Sequence, residues 1–344
     1  MIRVIQWGLG AMGSGMAKLI LEKDGLQLVG AIDTRPEYAG KDVGSVLGLG
    51  RELGVEVQAT PDGLLDPDVA DIVVIATTSW TAQQMPQLRQ ILGSGLNCIS
   101  IAEEMASPEA QSPELATELD QLAKANNVSV LGTGVNPGFV LDLLVVTLSG
   151  VCHKVDRIEA SRVNDLSPYG PTVMATQGVG ITPEAFKEGV ANGTIVGHVG
   201  FPESIRMISD ALGLGVDRVV ETREPIVSKV LREAAHVTVQ PGMVAGCKHI
   251  AVGYAGDKAV VKLVHPQQVH PHLEGQSTGD YINIYGTPDI VMSTGPEIAG
   301  GIATQGLAVN MVPHVVQASP GLKNMLDLPA PAALMGASAY RRRV

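Results

Sequence analysis

Three glycines near the start of the chain, Gly8, Gly10 and Gly13, form the spacing GxGxxG inside IQWGLGAMGS, after an apolar run and ahead of a helix-like one. Each would have its own task in receiving a pyrophosphate. Gly8 permits a tight turn, Gly10 lets the backbone approach the ligand, and Gly13 lets strand and helix pack closely. Leu9, Ala11 and Met12 complete that turn, and a helix starting there offers unpaired N–H groups and the positive end of its dipole to phosphates. Asp33 follows about 20 residues beyond Gly13, where a carboxylate accepts hydrogen bonds from an adenosine ribose. A carboxylate at that place favours the free 2′-hydroxyl of NAD, while the neighbouring Thr34 and Arg35 suit a 2′-phosphate, so NADP stays open. Ala76, Thr77 and Thr78 end a later apolar run and are expected beside the middle of the same cofactor.

The elements that must position these residues read as alternating β and α segments. Apolar runs at Ile2–Trp7, Leu26–Asp33, Val55–Gln58, Ala70–Thr77, Leu96–Ala102 and Val128–Gly134 are separated by amphipathic stretches such as Met16–Glu22, Thr81–Gly93 and Pro113–Asn126. Such alternation predicts a Rossmann-type, doubly wound parallel sheet over residues 1–135. Asn136-Pro137 reads as a helix start, an Asn cap followed by Pro at the first helical position. Beyond it the β runs crowd together: Arg157–Val163, Arg218–Val227, Val244–Tyr254, Lys258–Val264, Asp280–Tyr285 and Asp289–Thr294, with Gly256-Asp257 as a hairpin turn and helices at Pro183–Ala191 and Pro202–Leu212. This predicts a second, α+β domain over residues 136–299, built on a largely antiparallel sheet. Residues 300–344 are expected to form a helix at Gly300–Gln317, broken or kinked at Pro313, that returns to the first domain, then a loosely packed end through Leu328–Leu334 and Arg341-Arg342-Arg343.

The 344 residues favour two domains, and 45% hydrophobic with 17% charged residues describe a globular chain. A net charge of −11 repels phosphate backbones and anionic membranes. No run approaches the roughly 18 apolar residues of a membrane span, and no signal-peptide pattern opens the chain, so a cytoplasmic protein is expected. Cys98, Cys152 and Cys247 are too few and too scattered for a disulfide framework or a CxxC motif and read as small buried thiols.

Longer motifs are more specific than the glycines. WGLGAMGSGMA, IAEEMA, LGTGVNPGFVLD, SRVNDLSPYGPTVM, QGVG, VGHVGFPES, TREPIVSK, PGMVAGCKH, HPQQV and GDYI together resemble the 2,4-diaminopentanoate dehydrogenases and native amine dehydrogenases, within the dihydrodipicolinate reductase-like group. The resemblance runs from Ile2 to about Pro313. It implies a homodimer that carries out NAD(P)-dependent oxidative deamination of an amine, reversible as reductive amination of a ketone or aldehyde with ammonia. It also implies a catalytic glutamate within IAEEM, at Glu103 or Glu104. For the diaminopentanoate members the product is 2-amino-4-oxopentanoate.

Hydride loss from a carbon bearing an amine leaves an iminium, which a nearby carboxylate stabilises while moving protons to and from water and nitrogen. Glu103 and Glu104 follow the run Leu96–Ala102, at the strand end where ligands of open α/β sheets sit. Neighbouring side chains of an extended chain face opposite ways, so one of the two is expected at the substrate; Glu104 is favoured, and the sequence does not decide. Asn136 ends the sixth run at the same edge and is a candidate for nicotinamide or substrate contact. Arg162, Asn164 and Tyr169 are expected to reach the substrate from the second domain, Arg162 through a bidentate carboxylate pair or else as a structural ion pair. His198, in GHVGF, is a candidate for a polar end of the substrate. His265, His270 and His272 match no standard ligand spacing and lie among prolines, so no metal is expected. Two other readings compete: an imine or enal reductase of the dihydrodipicolinate reductase kind, which would not depend on ammonia, and a non-enzymatic redox sensor, which would bind NAD(P) without turnover.

Overall fold

Short apolar runs bounded by glycine, and amphipathic stretches bounded by proline or polar caps, become the regular elements of the computed structural model, which describes residues 1–340. The chain divides into two units, residues 1–139 with the chain from Ala299 onward, and Val140–Ile298; the turn Asn136–Phe139 therefore belongs to the first. That unit contains β1 (Ile2–Trp7), α1 (Ala11–Glu22), β2 (Leu26–Ile32), the short α2 (Val43–Val46), β3 (Val57–Gln58), β4 (Ile72–Ile75), α3 (Thr81–Gly93), β5 (Asn97–Ser100), α4 (Pro113–Ala125) and β6 (Ser129–Gly132). The second contains α5 (Leu143–Ser149), β7 (Lys154–Asp165), α6 (Pro171–Thr176), α7 (Pro183–Asn192), α8 (Phe201–Leu212), β8 (Arg218–Val227), β9 (Arg232–Ala234), β10 (Val237–Val239), β11 (Val244–Ala255), β12 (Lys258–Gln268), β13 (Gly279–Thr287) and β14 (Ile290–Thr294). The chain returns to the first unit with α9 (Gly300–Val316) and β15 (Gly321–Lys323).

The first sheet has the order β15-β6-β5-β4-β1-β2-β3, with every pair parallel. All four residues of β4 are buried, as a central strand covered on both faces requires. Ile5, Val73, Ile75, Leu88, Leu119 and Val130 form part of its core. Strand order reverses between β1 and β4, and the carboxyl ends of strands at such a switch point form the crevice in which doubly wound sheets bind ligands. The second sheet has the order β14-β13-β7-β12-β11-β8; its neighbours are antiparallel except the parallel pair β12–β7. Helices α5 and α8 pack on this sheet, and β9 pairs with β10 as a separate hairpin.

Several boundaries differ from the sequence expectation. The helix expected at Asn136-Pro137 starts at Leu143 instead, where the Asp142 side chain accepts from the Leu143 N–H. The turn before it needs Gly138 at φ +122, with Gly134 backbone so close that a Cβ would lie 2.5 Å from its carbonyl oxygen. Helix α9 runs unbroken past Pro313. Leu328–Leu334 has no regular structure and no buried residue, as expected, but on either side of it the chain is packed: β15 adds a seventh strand beside β6, and Tyr340 is buried against Gly25. The arginines 341–343 lie outside the described residues. Cys98 and Cys247 are buried thiols, but Cys152 is half-exposed. Among the described residues no helix is long and apolar enough to cross a membrane.

Candidate active site

The glycine turn between β1 and α1 has the three properties its spacing predicts. Gly8 takes φ +91, and a Cβ on it would lie 2.5 Å from the Ala76 carbonyl oxygen. At Gly13 a Cβ would lie 1.8 Å from the Gly8 carbonyl oxygen. Any side chain there drives α1 off the turn. Gly10 differs: nothing lies within 4 Å of an added Cβ, so the protein's own packing does not demand this glycine, whereas close approach of a pyrophosphate would. Ala11 and Gly10 are exposed, Met12 is half-buried and Leu9 points into the core. A cleft of about 270 Å³ runs from Gly8 and Gly10 to Asp33, Thr34 and Arg35, and past Ala76 and Thr77. These residues fit a dinucleotide.

Asp33, at the end of β2, is buried and already engaged. Its Oδ2 accepts from the Leu9 N–H at 2.7 Å and from Arg35 Nη2 at 2.8 Å; its Oδ1 accepts from Arg35 Nε at 2.9 Å and the Arg35 N–H at 3.0 Å. The Arg35 guanidinium holds the Asp33 carboxyl down to about 2. Arg35 also lies over the Tyr38 ring, 4.0 Å from its centroid. Its bonds to Asp33 occupy the acceptor that a ribose 2′-hydroxyl needs, while an arginine at this edge is what a 2′-phosphate needs. Thr34 is exposed beside them. Thr77 and Thr78 donate to Gln87 at 2.8 Å and Gln83 at 2.6 Å, which ties the β4–α3 loop to α3.

The two glutamates lie just past β5, within a single 3-10 turn, Glu103–Ala106, and not on extended chain. In such a turn successive side chains diverge by roughly 120°. The Glu104 carboxylate accepts from the Thr81 N–H at 2.8 Å. It thereby caps the first turn of α3, where a negative charge is favoured by the helix dipole. Glu103 is held differently. Burial pushes its carboxyl above the ordinary range; a hydrogen bond with Ser79 and another with its own N–H only partly offset this, and the Glu104 charge adds to it. A carboxyl raised above its ordinary range is a common property of a proton-transferring group. The two candidates thus differ: the Glu104 carboxylate is engaged at the start of α3, and the Glu103 carboxyl is held above its ordinary range. The turn is set by β6, since Gly132 lies so close to it that a Cβ would sit 1.7 Å from the Met105 carbonyl oxygen. Asn136 is half-buried in the turn that follows β6.

In the second unit Arg162 is not available as a free carboxylate receptor. Its Nη1 meets Asp280 Oδ1 at 2.8 Å across the β7–β13 pair, both side chains buried, and its Nη2 donates to the Ile298 carbonyl. Asn164 is buried, its Oδ1 3.1 Å from His265 Nε2. The His198 ring packs edge-on against His265 and Phe201 at centroid distances of 4.8 and 4.7 Å, and the His198 backbone N–H donates to His249 Nδ1 at 3.0 Å. Burial, with the charges of His249 and Arg162, holds His198 down to about 3; burial likewise keeps His265 well below the usual value. His249 Nε2 lies 2.8 Å from Glu221. Tyr169 lies elsewhere, packed against the apolar group of Leu166, Met174 and Val269. Structure therefore joins Asn164, His198 and Arg162 to His265 and His249, and leaves Tyr169 outside that group.

Ser79, Thr81, His249 and Glu221 were not identified from the sequence. The hydroxyl-rich run after β4 continues through Ser79 and Thr81, and that run was the available signal. Comparison with known proteins covers nearly the whole chain. The family described as "2,4-diaminopentanoate dehydrogenase C-terminal domain" matches residues 139–343, and "Dihydrodipicolinate reductase, N-terminus" matches residues 2–82. The chain is 45% identical to a 2,4-diaminopentanoate dehydrogenase of Acetoanaerobium sticklandii over 97% of its own length and 95% of the relative's. It is 25% identical to an amine dehydrogenase of Streptomyces virginiae, over 97% and 98% of the two chains. The solved structure of an amine dehydrogenase from Mycobacterium smegmatis superposes with a TM-score of 0.84 at 31% identity, over 96% and 97% of the chains. With a doubly wound nucleotide unit, a glutamate turn at its ligand edge and full-length similarity of this kind, the chain belongs to the 2,4-diaminopentanoate dehydrogenase family and is an NAD(P)-dependent oxidoreductase of amines.

Proposed function

We propose that this enzyme, as a homodimer, oxidatively deaminates a 2,4-diaminopentanoate-like amine to the ketone with release of ammonia, and runs in reverse as reductive amination. Glu103 is the proton-transferring residue. The observation that carries this reading is a carboxyl raised by burial at the carboxyl end of β5, beside the switch point of the sheet. The glycine turn, Asp33 and Arg35 would hold the cofactor's phosphates and adenosine end, and Ala76 to Thr78 would contact its middle. A nicotinamide bound there would supply the hydride acceptor for the carbon that carries the amine.

The chain's own groups do the rest. Ionised Glu103 takes a proton from the ammonium form of the substrate, so that the nitrogen lone pair can become the second bond of C=N as the hydride leaves. Once it has passed that proton to solvent, the carboxylate's charge stabilises the iminium, and it accepts a proton from the water that adds to the carbon. Protonation of the nitrogen by Glu103 expels ammonia as the ketone forms. Glu104 keeps the β4–α3 loop and the glutamate turn in register through the Thr81 N–H. The family model that matches residues 139–343 is that of the 2,4-diaminopentanoate dehydrogenase C-terminal domain, and that of dihydrodipicolinate reductase matches only the N-terminal residues 2–82, which supports amine over ring-imine chemistry.

Initial rates of reduced nicotinamide formation with 2,4-diaminopentanoate and simple amines, and of its consumption with ketones with and without ammonia, test the proposal. Carbonyl reduction indifferent to ammonia would sink it.

A further inference from the structure

The loop after β12 carries two histidines that the deamination chemistry does not use, and Asp165 at the end of β7 meets them. Asp165 Oδ1 is filled: it accepts from the Ser167 N–H at 2.8 Å, from the His270 N–H at 2.9 Å and from the Ser167 hydroxyl. Its Oδ2 lies 3.7 Å from His270 Nδ1. On the far side of that ring, Nε2 is 2.8 Å from the Glu233 carbonyl oxygen. A carbonyl only accepts, so in the neutral imidazole the proton sits on Nε2 and Nδ1 presents its lone pair. Two acceptors thus face each other. The single Ser167 hydroxyl, its Oγ 2.9 Å from Nδ1, has one proton for both the imidazole and the carboxylate.

His272 completes a group of three. Its ring is 5.4 Å from that of His270, and one ligand atom from each of Asp165, His270 and His272 lies within 4.8 Å of the others, the one such group among the described residues. His270 adopts φ 47, a conformation unusual for a side-chain-bearing residue, fastened by its N–H bonds to Asp165 and Ser167. A cavity of about 640 Å³, lined by Asp165, His272, Gln276 and Glu297 among others, opens beside the group.

We propose that Asp165, His270 and His272 bind a divalent transition metal ion of the zinc class through two imidazoles and one carboxylate, with the remaining position open to this cavity. Ligand atoms around a tetrahedral zinc are roughly 3.3 Å apart. The Asp165–His270 pair is near that spacing already, and the exposed His272 ring closes the rest by rotation. A backbone carbonyl on the far ring nitrogen is the usual outer support of a metal-binding histidine. Bound metal pins the β12–β13 connection to the end of β7.

The test uses the full, tag-free chain stripped with chelator and then titrated with Co²⁺ and Zn²⁺. One Co²⁺ per chain should bind with visible d–d absorption, Zn²⁺ should displace it, and Zn²⁺ should raise the unfolding temperature. His272→Gln, on an exposed ring, leaves the fold intact and should weaken binding by at least ~10-fold; Asp165→Asn should do the same, and His236→Gln on the surface should not. Absence of a stoichiometric site, or a site indifferent to His272→Gln, overturns the proposal and leaves Asp165 and His270 as a proton-sharing pair.

Discussion

At the residue scale the argument turns on two adjacent carboxylates with different surroundings. Glu103→Gln should cut turnover by about 10²-fold or more, the usual loss when acid–base catalysis is removed, with cofactor affinity unchanged. The pH profile separates this from a structural effect. Because burial raises the Glu103 carboxyl, the acid limb of kcat/KM should lie above the ordinary carboxylate range and vanish in Glu103→Gln. The linkage has a definite sign: the folded state binds this proton more tightly than the unfolded chain, so stability is lost as pH rises through the folded pKa. Glu103→Gln should therefore unfold at a higher temperature than the native enzyme at neutral pH, although it is less active. Glu104→Gln keeps an acceptor for Thr81 and loses only the charge at the helix start, about 0.3–1 kcal/mol; its turnover should be the milder loss. A severe loss in Glu104→Gln with a mild one in Glu103→Gln would reverse the assignment.

Asp33 and Arg35 give a second residue-level prediction. Arg35→Ala removes the guanidinium bond from each Asp33 oxygen, leaving only the backbone donors of residues 9 and 35, and removes the cation suited to a 2′-phosphate. The ratio of KM for NADP to KM for NAD should rise in Arg35→Ala and fall in Asp33→Ala. Equal effects on both cofactors would remove this pair from adenosine recognition.

At the element scale the site depends on close backbone contacts away from the reacting atoms. Gly132→Ala adds a methyl where the Met105 carbonyl already stands at 1.7 Å, so the 3-10 turn of Glu103 must move. Activity should collapse while NAD(P) binding, measured by fluorescence, persists. In the second sheet the buried Arg162–Asp280 pair ties β7 to β13. Breaking a buried pair from one side leaves an uncompensated charge, typically 3–5 kcal/mol. Arg162→Met should lower the unfolding temperature strongly, as calorimetry would record. A stable Arg162→Met enzyme with only a raised substrate KM would instead restore the substrate-carboxylate reading.

For the whole molecule, the second unit is one continuous stretch, Val140–Ile298, and the first is closed by α9 and β15 from the far end of the chain. β15 covers the outer edge of β6, and Leu322 packs on the core of the first sheet. Removal of the chain from Ser319 onward should leave β6 as an exposed edge and promote aggregation. Light scattering of the truncated chain on warming checks this; unchanged behaviour would mean β15 is dispensable.

The sequence determined what local rules govern. Glycine spacing, alternating apolar runs and the position of Asp33 specified the doubly wound unit, because a phosphate-binding turn and a buried parallel strand each leave a short-range pattern. The IAEEM segment placed both glutamates at the right strand end. Tertiary structure alone decided what depends on approach between distant segments. Glu103 and Glu104 are told apart by Ser79 and Thr81, more than twenty residues earlier. Arg162 is claimed by Asp280, and Asp165 is brought to His270 across 105 residues of chain. Pairing, burial and the pKa values they set are properties of packing, and no local spacing encodes them.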